Sequence, residues 1–397
     1  MKRVYMTTGL AFVLITIVFF AASATNFGTQ ASAQSPKPMK AKAFKHACTQ
    51  AKAGYAACRA LQSTTSVATP ASQTQAGVTP NAQAPGASAP YSPANLAAAY
   101  KLPTSANVAQ TVAIVDAYDD PNAESDLATY RSHFGLPACT SSNGCFRKVN
   151  QSGGTSYPAA NSGWAGEISL DVDMVSAICN HCKILLVEAN SSSLSDLGTA
   201  VNTAVSLGAN EISNSYGGSQ SSSDTSSCNA YYNHPGVAVT ASSGDGGPAV
   251  ESPADCPHVV AVGGTSLNSN GSETAWNTSS TEGAGGGCSS YITRPGWENN
   301  TLTGCAQRAV ADVSAVADPN TGVYVYDSYQ SGGWLQYGGT SASSPIIASV
   351  YALAGGVSGD AASIPWNKRA NGCLFSVGGK SYAYQTGLGS PNGTGCF

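Results

Sequence analysis

The chain has 397 residues, of which 42% are hydrophobic and 10% are charged, and this apolar content suffices for one large domain or two ordinary ones. It excludes a wholly disordered chain, and no apolar run is long enough to indicate a polytopic membrane protein. Residues 1–115 contain nine basic and no acidic groups, whereas residues 116–397 contain nine basic and 22 acidic groups, a net charge of −13. An acidic body argues against binding to nucleic acid through its phosphates.

The N-terminus has the pattern of a secretory signal peptide. Two basic residues precede an apolar stretch at residues 10–22, and small residues follow that permit cleavage after Ala24 or Ala33. An uncleaved membrane anchor is the alternative, but the apolar stretch is short for a bilayer. We therefore predict a signal peptide at residues 1–33 and a secreted, extracellular protein with no stable membrane insertion after cleavage.

Residues 34–90 have the composition of a short basic prosegment followed by a linker. The first part is rich in Lys and Ala, with Cys48 and Cys58 bracketing a helical turn or a hairpin, and residues 62–90 are rich in Ser, Thr, Ala and Pro. The second part buries too little surface to offset its ordering entropy, so we expect an exposed linker. A basic leader joined to an acidic body is typical of a prosegment that docks on its own enzyme. The body begins near Tyr91.

The 12 cysteines form an even set, which is typical of proteins from an oxidising compartment. In chain order they fall into six neighbouring pairs: Cys48/Cys58, Cys139/Cys145, Cys179/Cys182, Cys228/Cys256, Cys288/Cys305 and Cys373/Cys396. The sequence alone does not prove this connectivity. Metal binding is the alternative at Cys179-Asn-His-Cys182, but a zinc site needs two more ligands and the chain has no second CxxC.

Beyond residue 110 the chain alternates between short β-branched runs and helical periods. These patterns predict strands at residues 111–116, 184–188, 211–215, 237–241 and 259–262, and helices at residues 121–134, 164–179 and 194–207 and from near Ser341. Such alternation is typical of an α/β fold in which helices cover both faces of a mostly parallel sheet. The chain has no internal repeat.

Ser341 is a candidate nucleophile. It follows Gly338 and Gly339 and precedes an apolar run of helical length, so we expect it at a helix N-terminus, where backbone N–H groups help to hold an oxyanion. The alternative is an ordinary Ser/Gly loop in a Ser-rich protein. None of the five histidines has the Gly-rich, helix-opening context of a triad histidine, so the general base must be sought elsewhere.

Three carboxyl groups are candidates for that chemistry. Glu167 and Asp171 lie four residues apart and therefore share one face of the predicted helix, where one carboxyl can act as base while the other shares its proton. The alternative is a solvated acidic face. Asp245 lies among glycines just after a predicted strand, where it is either a turn residue or a protonated hydrogen-bond donor to an oxyanion.

Together these segments resemble the sedolisin family, the serine-carboxyl peptidases with a subtilisin-like fold. The resemblance covers residues 91–397 and includes Tyr91-Ser-Pro-Ala-Asn-Leu, Val112-Ala-Ile-Val-Asp116, the Glu167/Asp171 segment, Ser213-Asn-Ser-Tyr216-Gly217, Ser243-Gly-Asp245-Gly, Asp312-Val-Ser-Ala-Val-Ala-Asp318, Gly339-Thr-Ser341-Ala-Ser343 and Thr386-Gly-Leu-Gly-Ser-Pro391. It implies a three-layer, subtilisin-like peptidase domain over residues 91–397, with the signal peptide and prosegment before it.

The resemblance also implies a role for each matching residue. Ser341 is expected to be the nucleophile and Glu167 its general base. Asp171 is expected to hydrogen-bond Glu167, and Asp245 to complete the oxyanion hole. Asp116, where a subtilisin has its aspartate, extends the carboxyl network in this interpretation.

The resemblance implies in addition that Ser215, Tyr216 and Gly217 pair with the substrate backbone as an added strand does. The expected protein is a monomeric, secreted endopeptidase or tripeptidyl-peptidase that acts on proteins or peptides. We expect activity at acidic pH, because a Glu base has an ordinary pKa of about 4.3 and Asp245 must stay protonated. The alternatives are a catalytically inactive subtilisin-like binding module and, less favoured because Gly-x-Ser-x-Gly is absent at Ser341, an esterase.

The sequence departs from the family in two places. The leader is much shorter than the folded prodomain typical of the family. The family's C-terminal calcium site has carboxylates just before the Thr386 motif, but here residues 381–385 read Ser-Tyr-Ala-Tyr-Gln and no Asp or Glu occurs from residue 361 onward. Calcium needs several oxygen ligands, usually including carboxylates. We therefore predict that the calcium site is lost or weakened, that no cofactor is bound, and that Cys373/Cys396 fastens the tail instead.

Overall fold

The structure is a computed structural model that describes residues 43–70, 89–103 and 109–397. The predicted signal peptide and most of the predicted linker lie outside these ranges. The helices are α1 (Pro93–Ala99), α2 (Ala123–His133), α3 (Ser162–Ile178), α4 (Leu194–Ser206), α5 (Asp224–Tyr231), α6 (Asn300–Thr303), α7 (Thr340–Leu353) and α8 (Ser363–Lys368). No helix in the described ranges has the length and apolar character needed to cross a membrane.

Most strands follow the predicted alternation with these helices. The strands are β1 (Phe44–His46), β2 (Ala57–Cys58), β3 (Leu61–Ser63), β4 (Thr111–Ala117), β5 (Phe146–Asn150), β6 (Lys183–Ala189), β7 (Glu211–Asn214), β8 (Tyr216–Ser219), β9 (Ala238–Ser242), β10 (Glu251–Ser252), β11 (Val260–Leu267), β12 (Glu273–Ala275), β13 (Asn277–Ser279), β14 (Glu282–Gly283), β15 (Gly287–Thr293), β16 (Gln307–Val310), β17 (Val313–Val316), β18 (Val323–Asp327), β19 (Gly333–Gly338), β20 (Leu374–Phe375) and β21 (Ser390–Pro391).

An eight-stranded sheet forms the centre of the fold. Its strands run in the order β12-β11-β9-β7-β4-β6-β5, and β17 also pairs with β11. All neighbours in this sheet are parallel except β12, which is antiparallel to β11. The predicted α/β class with a mostly parallel sheet is therefore confirmed.

The sheet is covered on both faces, which gives three layers. Along β4, Val112 and Ile114 pack in one core with residues of α3 and α7, whereas Ala113 and Val115 pack in a second core with residues of α4. Successive side chains of a strand point to opposite faces. A central strand buried on both faces therefore reads as a continuous apolar run, which is why β4 was recognisable in the sequence.

Helices α3 and α7 pack directly against each other. Helix α3 begins after Asn161, whose side-chain oxygen accepts hydrogen bonds from the N–H groups of Gly163 (3.0 Å) and Trp164 (3.2 Å). Glu167 and Asp171 are completely buried, so the interpretation of a solvated acidic face is wrong. Their shared face instead lies inside the protein, close to the start of α7.

All six disulfides predicted from neighbouring cysteines are present: Cys48–Cys58, Cys139–Cys145, Cys179–Cys182, Cys228–Cys256, Cys288–Cys305 and Cys373–Cys396. No cysteine among the described residues is free. The Cys179/Cys182 pair is therefore a disulfide and leaves no thiolate for the metal-binding alternative.

The leader segment, defined here as residues 43–70, adds short strands to the body. Strands β1 and β3 pair with each other, and β3 also pairs with β19 in a four-stranded sheet of order β1-β3-β19-β18. Strand β2 pairs separately with β8. The residues between Cys48 and Cys58, for which the sequence left a helical turn or a hairpin open, form a loop with one turn at residues 53–54, and this loop lies between the antiparallel strands β1 and β3.

Candidate active site

Ser341 lies in the first turn of α7 and is completely buried. The turn begins at Gly339, which has φ +93°, a conformation that L side chains rarely adopt. A Cβ at Gly339 would overlap the carbonyl oxygen of Arg59 and lie 2.7 Å from Oδ2 of Asp245. The glycine therefore lets a peptide carbonyl and the Asp245 carboxyl approach the same point of the backbone.

Glu167 and Asp171 form a buried carboxyl pair beside Ser341. Burial, followed by the charge of Asp171, raises the pKa of Glu167 well above its ordinary value, while a hydrogen bond from Ser341 opposes this shift. Burial, followed by the charge of Asp116, likewise raises the pKa of Asp171, while the hydrogen bond from Ser215 and the neighbouring Glu167 carboxyl oppose this shift. The hydroxyl of Ser215 donates to Oδ1 of Asp171 at 2.8 Å. The two carboxyls are thus close enough for the charge of one to affect the titration of the other.

The Ser341 hydroxyl donates to the Ser215 carbonyl oxygen at 3.2 Å in this conformation. Among the described residues, neither carboxyl oxygen of Glu167 has a well-aligned hydrogen-bond partner. The Ser341 hydroxyl is therefore near enough to affect the pKa of Glu167, but it is not aligned for a hydrogen bond in this conformation. Catalytic hydrogen bonds are often poorly aligned before a substrate is engaged.

Asp116 lies near the carboxyl end of β4 and is completely buried. Burial raises its pKa well above the ordinary value, and the charges of Glu167 and Glu188 add to the shift. Within the described ranges neither of its carboxyl oxygens has a hydrogen-bond partner. Asp116 is therefore close enough to Glu167 and Asp171 for their charges to interact.

Asp245 follows β9 and reaches the N-terminus of α7. Its Oδ1 accepts hydrogen bonds from both the N–H and the hydroxyl of Thr340, each at 2.8 Å. Burial raises the pKa of Asp245 to about 7, although the Thr340 N–H and the positive charge of Arg59 oppose the shift. Oδ2 has no partner among the described residues and lies beside Gly339. A protonated Asp245 can therefore donate from Oδ2, a role that an ordinary turn residue does not have.

The leader segment crosses this site. Strand β2 runs antiparallel to β8, with Ala57 opposite Gly217 and Cys58 opposite Tyr216. The next residue, Arg59, donates its N–H to the Ser215 carbonyl oxygen at 3.1 Å. Residues 215–217, which the sequence predicts to pair with substrate backbone, therefore pair with the chain's own leader.

Three participants in the site were not predicted from the sequence. Thr340 belongs to the Gly-Thr-Ser motif, but its bonds to Asp245 appear only in the structure. The other two participants are Arg59 and Glu251. Nη2 of Arg59 lies 2.6 Å from Oε2 of Glu251 and donates a hydrogen bond to the Gly217 carbonyl oxygen at 2.8 Å. The sole sequence signal for such a contact was the basic charge of the leader.

The residues near the C-terminus do not fit a calcium site. Asp360, the last acidic residue, is bound to His258 Nδ1 and Trp297 Nε1, each at 3.1 Å. In residues 381–385, the carbonyl oxygen of Tyr384 accepts a hydrogen bond from the Ala311 N–H at 2.8 Å, and that of Gln385 accepts one from the Gly264 N–H at 2.9 Å. The described residues contain one cluster of acidic and cysteine side chains: Cys228, Asp255 and Cys256. Both sulfurs of this cluster belong to the Cys228–Cys256 disulfide, so they offer no thiolate to a metal.

Known proteins resemble this chain over most of its length. Kumamolisin of Bacillus sp. (strain MN-32) is 31% identical over 299 residues, which cover 66% of this chain and 51% of kumamolisin. Sedolisin of Pseudomonas sp. (strain 101) is 34% identical over 110 residues, 25% of this chain and 18% of sedolisin. The solved Pseudomonas sedolisin, a serine-carboxyl proteinase complexed with two molecules of pseudo-iodotyrostatin, superposes with a TM-score of 0.67 and 26% identity over 77% of this chain and 96% of its own.

The chain is similar in sequence to kumamolisin and sedolisin and in structure to a solved sedolisin. No family model matches it. The chain spans about half the length of kumamolisin. The similarity to a solved sedolisin, together with the parallel sheet, confirms the predicted subtilisin-like fold.

Proposed function

We propose that this protein is a secreted serine-carboxyl peptidase of the sedolisin family that hydrolyses peptide bonds in proteins at acidic pH. One observation carries the proposal: Ser341, the coupled carboxyls of Glu167 and Asp171, and the Oδ2 of Asp245 converge at the buried N-terminus of α7. No hydrogen bond joins a histidine to these four residues anywhere in the part of the chain that the structure describes. The serine-carboxyl proteinase among its structural relatives supports the same activity.

In the proposed mechanism the Ser341 oxygen attacks the peptide carbonyl carbon and its proton passes to the Glu167 carboxylate. The protonated Asp245 donates to the oxyanion of the tetrahedral intermediate beside Gly339. Glu167 then gives the proton to the leaving amine, and the acyl bond to Ser341 remains. Water repeats the sequence and releases the acid product. Asp171 acts as a positioning residue, because it holds and tunes Glu167.

The two requirements on protonation set the working pH. Glu167 must be ionised to accept a proton, and the pair with Asp171 supplies one carboxylate when it loses its first proton. Asp245 must remain protonated, and its pKa of about 7 places the loss of that proton near neutrality. Activity is therefore expected to fall as the pH rises through 7, whereas the raised pKa of Glu167 moves the acid limit of activity upward, toward mildly acidic pH.

We also propose that the protein works without calcium or another cofactor. The C-terminal segment lacks carboxylates, and the Cys373–Cys396 disulfide joins its two ends. Arg308 supplies a buried positive charge nearby, with Nη2 2.5 Å from Asp312 Oδ2 and Nη1 3.1 Å from Glu298 Oε2. This charge neutralises carboxylates that would otherwise be buried without a cation.

The leader contacts support the proposal that the basic prosegment docks on its own enzyme. The segment pairs with β19 and with β8, the strand that we propose to bind substrate. Six disulfides and the signal-peptide pattern support secretion. We propose a monomer that acts on proteins or peptides as an endopeptidase or a tripeptidyl-peptidase.

The test is digestion of casein by the purified, leader-free protein at pH 3–5, beside a Ser341→Ala control. Loss of all hydrolysis in the control supports the proposal. If the wild-type protein and the control both leave casein intact while remaining folded, the protein is a binding module instead. Hydrolysis of small esters without peptides would indicate an esterase.

A further inference from the structure

The leader segment lies on the substrate-pairing strand in a definite register. Arg59 donates its N–H to the Ser215 carbonyl oxygen, and Ala57, two residues earlier, lies opposite Gly217. Alternate residues of an extended chain face its partner strand in this way. The register therefore assigns the backbone of Arg59 to the end of the paired segment, next to Ser341.

The Arg59–Ala60 peptide bond lies at the catalytic groups. The Arg59 carbonyl oxygen lies against the Cα of Gly339, on the side where Asp245 Oδ2 is directed. The backbone of Ala60 lies close enough to the Glu167 carboxyl to lower its pKa, although the contact is not a well-aligned hydrogen bond. If Ser341 and Glu167 have the roles proposed above, this peptide bond occupies the place of the bond to be cut, with Arg59 on its acyl side.

The Arg59 side chain enters a pocket with one matching charge. Its Nη2 is 2.6 Å from Glu251 Oε2 and donates to the Gly217 carbonyl oxygen at 2.8 Å. The two side chains are only 14% and 16% exposed. Burial raises the pKa of Glu251, and the charge of Arg59 lowers it, so the arginine favours the ionised carboxylate. A buried carboxylate without such a partner is costly.

Two glycines make the room for this carboxylate. A Cβ at Gly217 would overlap Glu251 Oε2, and a Cβ at Gly244 would lie 2.9 Å from Glu251 Cδ. Gly217 comes from the substrate-pairing strand and Gly244 from the loop that presents Asp245. The pocket is thus built from the same elements as the catalytic site.

We infer that this pocket selects arginine on the acyl side of the cleaved bond, that Glu251 is the specificity-determining residue, and that Arg59 occupies the pocket as a substrate-like part of the leader. Arginine fits better than lysine, because the same guanidinium reaches both Glu251 and the Gly217 carbonyl. The inference rests on the proposed peptidase function for its substrate class. The leader stays in place because β1 and β3 pair across the bond and Cys48–Cys58 closes the loop before it.

The first test measures kcat/KM of the leader-free enzyme at pH 5 on peptides that differ only at the acyl-side residue. We expect arginine to exceed citrulline, its neutral isostere, by roughly 10- to 100-fold, because citrulline leaves the Glu251 carboxylate unpaired. Lysine should lie between them. Glu251→Gln should reduce the arginine/citrulline ratio to below about threefold. Glu211→Gln, a buried glutamate on β7 away from the pocket, is the matched control and should keep the ratio.

Equal rates for arginine and citrulline, or an unchanged ratio in Glu251→Gln, would overturn the inference while leaving the peptidase proposal intact. The second test needs no activity and uses the full chain carrying Ser341→Ala. Amide hydrogen exchange of residues 56–61 should quicken by about tenfold or more in Arg59→Ala and in Glu251→Gln, and no further in the double variant. Additive or absent effects would refute the Arg59–Glu251 pairing. Suppose that Arg59→Ala and Glu251→Gln have non-additive effects on exchange, but the protein hydrolyses no peptide. This result would refute both the peptidase function and the substrate selection, and it would leave a pocket that only docks the leader.

Discussion

Replacing Asp245 by Asn tests how the site holds the oxyanion. In the native site Oδ1 is committed to the Thr340 N–H and hydroxyl, and Oδ2 is directed at Gly339. Asparagine can place its amide oxygen at the Oδ1 position and its NH2 group at the Oδ2 position. The variant therefore keeps a donor toward the oxyanion, but this donor does not titrate.

The magnitude follows from the pKa of Asp245, which burial raises to about 7. A group with this pKa is almost fully protonated at pH 5 and about 10% protonated at pH 8, so the native enzyme should lose about tenfold in kcat/KM over this interval. In Asp245→Asn the alkaline fall should disappear, while the rate at pH 5 stays within about tenfold of the native rate.

The assay is a kcat/KM profile from pH 3 to pH 9 on an arginine-containing peptide, with Asp245→Ala as the control. Alanine removes the donor, so we expect a loss of about 100- to 1,000-fold at every pH. An alkaline fall that persists unchanged in Asp245→Asn would refute the reasoning, because another group would then control it.

Three further outcomes are expected. Thermal unfolding of the Ser341→Ala chain should show a lower Tm at pH 8 than at pH 4, because buried carboxyls keep protons in the native state that the unfolded chain releases above its ordinary pKa. Burial raises the pKa of Glu211 to about 8, so this residue alone should lower the free energy of unfolding by on the order of 4 kcal/mol between these pH values. Glu211→Gln should therefore make Tm less dependent on pH. EDTA should change the Tm by less than about 2 °C, and a larger fall would contradict the calcium-free proposal. Gly339→Ala should lower kcat/KM more than about 100-fold, because its Cβ would overlap the active site. Gly355, the control, has a similar φ of +97° but open space around it, so Gly355→Ala should lower the free energy of unfolding by about 1 kcal/mol in a denaturant titration and change activity little.

Much of the body could be predicted from the sequence because its signals are local. The strand predicted at residues 111–116 is β4, Thr111–Ala117, and the helix predicted at residues 164–179 is α3, Ser162–Ile178. Apolar runs and helical periods act over a few residues and are visible without knowing the fold. The approach of Glu167 to Asp171 is local too, because one helical turn separates them.

The leader and its pocket could not be predicted because they depend on contacts between distant parts of the chain. Arg59 and Gly217 are 158 positions apart, and Glu251 meets them only after the sheet has formed. Strand β19 has Gln336 between its apolar residues and a glycine at each end, so it lacks the long apolar run that marked the central strands. The burial of the acidic face of α3 likewise follows from its packing against α7 and not from its composition.

The most direct measurement of the central claim is the hydrolysis rate of Glu167→Gln. Glutamine keeps the shape of the side chain but cannot take the Ser341 proton, so kcat/KM at pH 5 should fall by about 1,000-fold or more while circular dichroism and Tm stay native-like. Glu211→Gln, the buried control on β7, should keep full activity. Full turnover by Glu167→Gln would contradict the account, because a group other than this carboxylate would then be activating the serine.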